Sequence, residues 1–220
     1  MRVALVNANT NAATTADMLA IVRQASAPGD DITGLTAAFG APLIADPAAL
    51  AVAADAVLAL ASGLSGFDGV IVAAFGDPGR STLAARLQCP VVGIAEAGMA
   101  AAAGLSNGRF AIATTTPALR QSIQATAERY GHGAALASIR ITPGDPGVLM
   151  ADPAALEAAL ADAVAAAIRE DGARSVVIGG GPLGRAAAAL QQQFDIPIVA
   201  PLPAAVVLLR RRIEEAAAGS

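Results

Sequence analysis

Four short segments of the chain carry the polar side chains and flexible backbone that small-molecule chemistry needs. They are Asn7-Ala8-Asn9-Thr10, Ala73-Ala74-Phe75-Gly76-Asp77, Ala113-Thr114-Thr115-Thr116 and Gly179-Gly180-Gly181-Pro182. Asn and Thr side chains donate and accept hydrogen bonds, and glycine-rich turns present backbone N–H groups, so the set suits a small carboxylate or a cyclic imide. Asn9, Thr10, Thr114 and Thr115, with Phe75, Gly76 and Gly181 beside them, are the candidate ligand contacts. For the Asn and Thr residues this reading competes with simple turn-making. Asp77 and Glu96 are the carboxylates near these segments and the candidates for an acid or a base. Each also has a structural reading. Asp77 precedes Pro78 as a helix N-cap would, and Glu96 opens a predicted helix, where a carboxylate suits the dipole.

Other reactive side chains are few. Cys89 is the sole cysteine, which excludes an internal disulfide, and no Cys/His cluster has zinc-site spacing, so no metal is expected. His132 lies between two glycines in a loop away from the four segments, and Tyr130 ends the preceding predicted helix as a packing residue. Arg210, Arg211 and Arg212 form the one basic run, with Glu214 and Glu215 at i,i+4 spacing, the pattern of a solvated helix face.

Positioning these residues falls to an alternating pattern. Apolar, β-branched runs near 2–7, 31–36, 69–74, 90–94, 109–113, 136–141, 175–179 and 196–199 read as strands. Ala-rich stretches near 13–26, 47–63, 79–87, 96–104, 117–129, 153–170, 184–193 and 203–217 read as helices, with Asp77-Pro78 and Asp152-Pro153 as helix starts. That is the pattern of parallel sheets covered by helices. The pattern also repeats. Val3-Ala4-Leu5-Val6 matches Arg109-Phe110-Ala111-Ile112, Val70-Ile71-Val72 matches Val176-Val177-Ile178, and Pro90-Val91-Val92 matches Pro197-Ile198-Val199. The expected architecture is α/β, with two similar lobes related by a pseudo-twofold internal repeat, 1–95 plus 200–220 and 96–199. Ligands of parallel sheets collect at the carboxyl ends of strands, so the four segments are expected to line a ligand cleft between the lobes.

With 220 residues the chain is long enough for a substantial core, which must be built from Ala, Val, Leu and Ile because aromatics supply only 3% of it. All 14 basic residues are Arg and the net charge is -4, which argues against a nucleic-acid-binding surface. The start of the chain lacks a long signal-peptide apolar region, and the Ala48–Leu64 stretch is interrupted by Asp55, so no membrane association is expected. The expectation is a cytoplasmic homo-oligomer whose partner is a small molecule.

Several motifs carry a family resemblance over essentially the whole chain. Val6-Asn7-Ala8-Asn9-Thr10 resembles an N-P-N-T turn with Ala8 in place of Pro, and Val72 to Gly79 resembles an A-C-F-x-D-P-G motif. Pro90-Val91-Val92-Gly93-Ile94-Ala95-Glu96-Ala97 is similar to P-V-V-G-I-x-E-A, and Arg109 to Thr115 to R-F-x-V-x-T-T. Together they resemble the hydantoin racemase branch of the aspartate/glutamate/hydantoin racemase superfamily. The resemblance implies two α/β lobes, no cofactor, and one cysteine per lobe acting as base and acid on opposite faces of a stereocentre. It places the first cysteine at Ala74 and the second, in a G-C-x-G-M motif, at Gly180, and neither residue carries a proton.

The implied function is therefore binding of a small carboxylate or hydantoin-like carbonyl compound without two-cysteine racemisation, leaving isomerase, decarboxylase or lyase chemistry open. The alternative is a non-catalytic ligand-binding or regulatory homologue. A dinucleotide-binding reading of Gly179-x-Gly181-x-x-Gly184 is weakened by Pro182 within the turn and by the lack of an acid ending the next strand. Cys89 precedes the Pro90 strand, at the end opposite the four segments. Cys89→Ser, or alkylation of the native thiol, should leave ligand affinity and any activity within a few-fold of wild type, and a hundred-fold loss without unfolding would contradict this placement.

Overall fold

The computed structural model describes residues 1–105 and 108–219. The elements run β1 (Arg2–Asn7), α1 (Ala12–Ala25), β2 (Asp31–Thr36), α2 (Pro47–Ala59), β3 (Gly69–Val72), α3 (Arg80–Arg86), β4 (Val91–Gly93) and α4 (Ile94–Leu105). They continue with β5 (Phe110–Thr114), α5 (Arg120–Arg129), β6 (Leu136–Ile141), α6 (Pro146–Ala151), α7 (Pro153–Asp171), β7 (Ser175–Ile178), α8 (Gly184–Leu190), β8 (Ile198–Val199) and α9 (Pro201–Ala218). Short 3-10 turns cover Ala61–Leu64 and Pro117–Leu119.

The chain divides into two compact units, one of Met1–Ile44, Ala48–Ala97 and Leu202–Ser220, the other of Ala45–Pro47 and Gly98–Pro201. Each holds a four-stranded, wholly parallel sheet, in the order β2-β1-β3-β4 in the first and β6-β5-β7-β8 in the second. The same order arises because each sequence half supplies the same succession of apolar strand and crossover helix.

In the first unit both faces of the sheet are apolar, as a parallel sheet requires. Ala4, Val6, Val70 and Val72 pack against Ala53 and Val57 of α2 and Leu83 of α3. Val3 and Ile71, on the opposite face, meet Val22 of α1 and Val206 and Leu209 of α9. Leu209 lies so close over β3 that a Cβ on Gly69 would come within 2.7 Å of it, so the glycine lets the helix approach. In the second unit Ala111, Ala113, Val176 and Ile178 pack against Leu160, Val164 and Ala167 of α7, Ala187 and Leu190 of α8, and Leu183 just before α8. Each fully buried Leu, Ile or Val contributes about 1.5–3 kcal/mol, and such residues substitute for the missing aromatics.

Electrostatic clips fix the edges. Asp30 accepts from the amino terminus at 2.9 Å and pairs with Arg210 at 2.5 Å. Asp171, at the end of α7, takes Arg140 of β6 at 2.6 Å and the Ser138 hydroxyl at 2.5 Å. The Arg140 guanidinium is the main reason its carboxyl sits below the usual range. The basic run is thus not the solvated face expected from its sequence. Arg210 and Arg212 have acidic partners distant in sequence, and only Arg211 uses the local i,i+4 partner, Glu215, at 3.4 Å.

Helix starts differ from expectation at two places. Asp152 caps α7 as its sequence predicts, accepting from the N–H groups of Ala154 and Ala155. Asp145-Pro146 is the same signal seven residues earlier and starts α6, a helix that periodicity alone does not reveal. Asp77, in contrast, does not cap the helix that follows it. Its φ is +54°, α3 begins only at Arg80 behind Gly79, and its carboxylate reaches instead to the start of α4. There Oδ1 and Oδ2 accept from the N–H groups of Ala95 and Glu96, each at 2.8 Å. A side chain 18 residues upstream thereby supplies the acceptors that helix ends need.

The cap requires Gly93, because a Cβ there would overlap the Asp77 carboxylate itself. Gly93→Ala should therefore displace the carboxylate and destabilise the protein by about 2–4 kcal/mol in urea unfolding. Gly104→Ala, in the same α4 with open space around its Cα, should instead stabilise by up to about 1 kcal/mol. Equal effects of the two substitutions would contradict the cap.

Candidate functional site

The backbone hydrogen bonds of each sheet bring the sequence segments to its carboxyl edge in matching positions. Ala73 N–H donates to Val6 in the first unit and Gly179 N–H donates to Ala113 in the second, both at 2.8 Å. Ala74 and Gly180 therefore occupy the same place in their own units, one residue beyond these bonds. Ala37 N–H donates to Asn7 at 3.0 Å, and Thr142 N–H donates to Thr114 at 2.9 Å, so Asn7 matches Thr114 and Ala37 matches Thr142. β1 and β5 each end in a buried polar residue, Asn7 at 0% exposure and Thr114 at 1%.

In the first unit Asn7 organises the edge. Its Nδ2 donates to Asn9 Oδ1 and Thr15 Oγ1 at 2.9 Å and to the Asn11 carbonyl at 3.1 Å, while its Oδ1 accepts from Asn9 N–H. Asn9 Oδ1 also accepts from Asn11 N–H, and Asn11 caps α1. The Asn9 carbonyl oxygen is thus engaged in shaping the turn. Thr15 bonds Thr36 at 2.6 Å, and Thr10 N–H is held by Ala41. Thr10 is half-buried, Phe75 is buried, and Gly76 takes φ +119°, a conformation that a side chain would strain.

Both carboxylates are engaged by the fold. Asp77 caps α4, as above. Glu96 is buried and accepts from Arg212 at 2.5 and 3.3 Å, from Arg80 at 3.1 Å and from Gly93 N–H at 3.3 Å. Arg80 and Arg212 also both donate to the Val91 carbonyl, so α3, β4, α4 and α9 meet on one charged knot. Sequence spacing could not announce this knot, because Arg80 lies 16 positions and Arg212 lies 116 positions from Glu96.

In the second unit Thr114 Oγ1 donates to the Gly179 carbonyl at 2.6 Å and lies 3.4 Å from the Thr116 hydroxyl. Thr115 is buried beside it. In the glycine-rich turn the N–H groups of Gly179, Gly180, Leu183 and Gly184 bond to the chain's own carbonyls, and Pro182 has none. A pyrophosphate would need such N–H groups unengaged, which further weighs against the dinucleotide reading. Gly180 does not need a left-handed backbone; what a side chain there would meet is Leu183, at 2.8 Å from the added Cβ. Gly181 follows in the same turn.

Cys89 lies two residues before β4, half-buried against the first unit's apolar cluster, and burial pushes its thiol pKa up. His132 packs edge-on to Phe110 at 6.3 Å between ring centres, and burial pushes its pKa down. Tyr130 lies under the Arg129 guanidinium at the end of α5. Thr142 is a polar residue of this edge that sequence inspection passes over, although it directly follows the strand run 136–141. Among the described residues no cluster of three His, Cys, Asp or Glu could hold a metal, and no helix is long and apolar enough to cross a membrane.

Comparison with known proteins agrees with this architecture. The chain is 27% identical over 214 residues to a hydantoin racemase from Paenarthrobacter aurescens, covering 93% of this chain and 88% of the relative. Its fold superposes on an allantoin racemase from Pseudomonas fluorescens with a TM-score of 0.94 at 30% identity, covering 98% of this chain and 92% of the other. For an allantoin racemase from Klebsiella pneumoniae the TM-score is 0.92 at 29% identity, with 98% and 89% covered. The family model described as Asp/Glu/Hydantoin racemase matches residues 3–209, and the chain belongs to that family.

Proposed function

We propose that the chain is a cofactor-independent enzyme of this family that binds a five-membered cyclic ureide, of the hydantoin or allantoin kind, at the carboxyl ends of its strands and does not racemise it by two-thiol chemistry. The observation that carries the reading is the pair of matched positions Ala74 and Gly180. They stand one residue beyond equivalent backbone bonds, where the family resemblance puts the two cysteines, and neither has a titratable group. Inverting a carbon next to a carbonyl requires one group to remove the proton and another to return it from the opposite face. Cys89 is the chain's single thiol, and its raised pKa makes it a poor thiolate. The ureide class is supported by the likeness to hydantoin and allantoin racemases over nearly their whole length.

The chemistry that fits such a site is one-sided. Hydrogen-bond donors at the strand ends can stabilise an enolate without a thiol, which supports isomerase, lyase or decarboxylase reactions. The engagement of Asp77 and Glu96 in structural bonds favours a second reading, a non-catalytic ureide-binding homologue.

Incubation of the protein with an enantiopure 5-alkylhydantoin and with allantoin in deuterium oxide tests both. Calorimetry should show saturable binding, while polarimetry and NMR should show no loss of optical rotation coupled to full deuterium uptake above the uncatalysed rate. Uptake with retained configuration identifies the one-sided enzyme, and binding without uptake identifies the second reading. Enzymatic racemisation with complete exchange would overturn the proposal.

A further inference from the structure

Among the described residues, the hydroxyl of Thr142 is the one buried side-chain polar atom without a hydrogen-bond partner. Thr142 follows β6 directly, is 3% exposed, and is tied by its N–H to the carbonyl of Thr114. It therefore sits on the carboxyl edge of the second unit's sheet, next to Thr114, with β5 between it and the strand β7 that leads into the glycine-rich turn. A buried hydroxyl left without a partner costs about 1–3 kcal/mol, so its presence calls for an explanation.

The internal repeat supplies a control for what the fold itself needs at this place. Ala37 makes the same backbone bond in the first unit, to Asn7, and is equally buried at 4% exposure. A methyl group thus satisfies the position structurally, and a hydroxyl there adds nothing to sheet or turn. The hydroxyl of the neighbouring strand-end residue Thr114 is committed to the Gly179 carbonyl.

We infer that Thr142 is a substrate-binding residue whose hydroxyl completes its hydrogen bonding with an amide N–H or C=O of the bound ureide. The inference rests on the ureide-binding reading above. A hydroxyl can serve either ring group, because it donates one hydrogen bond and accepts others. An ordered water could meet the same need, and affinity and stability together separate the two.

Thr142→Val keeps the shape and removes the hydroxyl, and Thr142→Ser keeps the hydroxyl. Calorimetric affinity for allantoin and a 5-alkylhydantoin should fall ten-fold or more in the Val variant and stay within about three-fold in the Ser variant. The melting temperature of the unliganded Val variant should equal or exceed that of wild type. Unchanged affinity in the Val variant, with or without a lowered melting temperature, would overturn the inference and, with lowering, assign the hydroxyl to a structural water. If wild type binds neither ureide, the functional reading fails and takes this inference with it, whereas wild-type binding that Val leaves intact sinks Thr142 alone.

Discussion

The structure of the first unit turns on the buried carboxylate of Asp77. It accepts two backbone N–H groups at the start of α4 and occupies the space that a side chain on Gly93 would fill. Its own backbone takes a positive φ, which for a residue with a side chain costs roughly 1–3 kcal/mol. Two bonds to an ionised acceptor, each contributing about 1.5–3 kcal/mol, outweigh that strain. The turn between β3 and α3 is thereby fixed to the turn between β4 and α4, and Ala74 is held three residues upstream of the anchor. Glu96, whose N–H donates to the Asp77 carboxylate, then anchors Arg80 and Arg212 and so draws α9 onto β4.

A consequence for chemistry follows from charge already spent. Buried carboxylates at strand ends are natural acids and bases, yet here both are saturated by N–H groups or guanidinium groups whose loss would leave a buried charge uncompensated. Proton transfer by either would have to break a bond on which the fold relies. A thiol, by contrast, packs as a small apolar group and can exchange a proton without breaking such bonds.

The two units solve one architectural problem with different side chains. At the ends of β1 and β5, Asn7 gathers the turn, helix cap and a neighbouring threonine of its unit, while Thr114 bonds the Gly179 carbonyl and the Thr116 hydroxyl. At the exit of the edge strand, Ala37 is apolar and Thr142 is not. The two units thus present equal backbone hydrogen bonds and unequal polar groups at matching strand ends.

Periodicity, composition and the repeat determined the strands, their parallel pairing and nearly all the helices, because burial of alternating apolar runs is a local pattern with long-range consequences. The matched strand ends were legible for the same reason. The short α6 has a start signal in Asp145-Pro146 but no periodic trace, since none of its six residues is buried. What tertiary structure alone decided were the partners of polar groups. Asp77 reads as the cap of its own helix but reaches across to Ala95 and Glu96; Arg210 and Arg212 read as solvated but find Asp30 and Glu96 over 100 positions away. Thr142 reads as an ordinary strand-end residue until burial shows its hydroxyl unpartnered. Apolar groups need only any dry neighbour, which sequence pattern can promise, whereas a polar group needs a specific atom at about 3 Å, and only the folded chain supplies it.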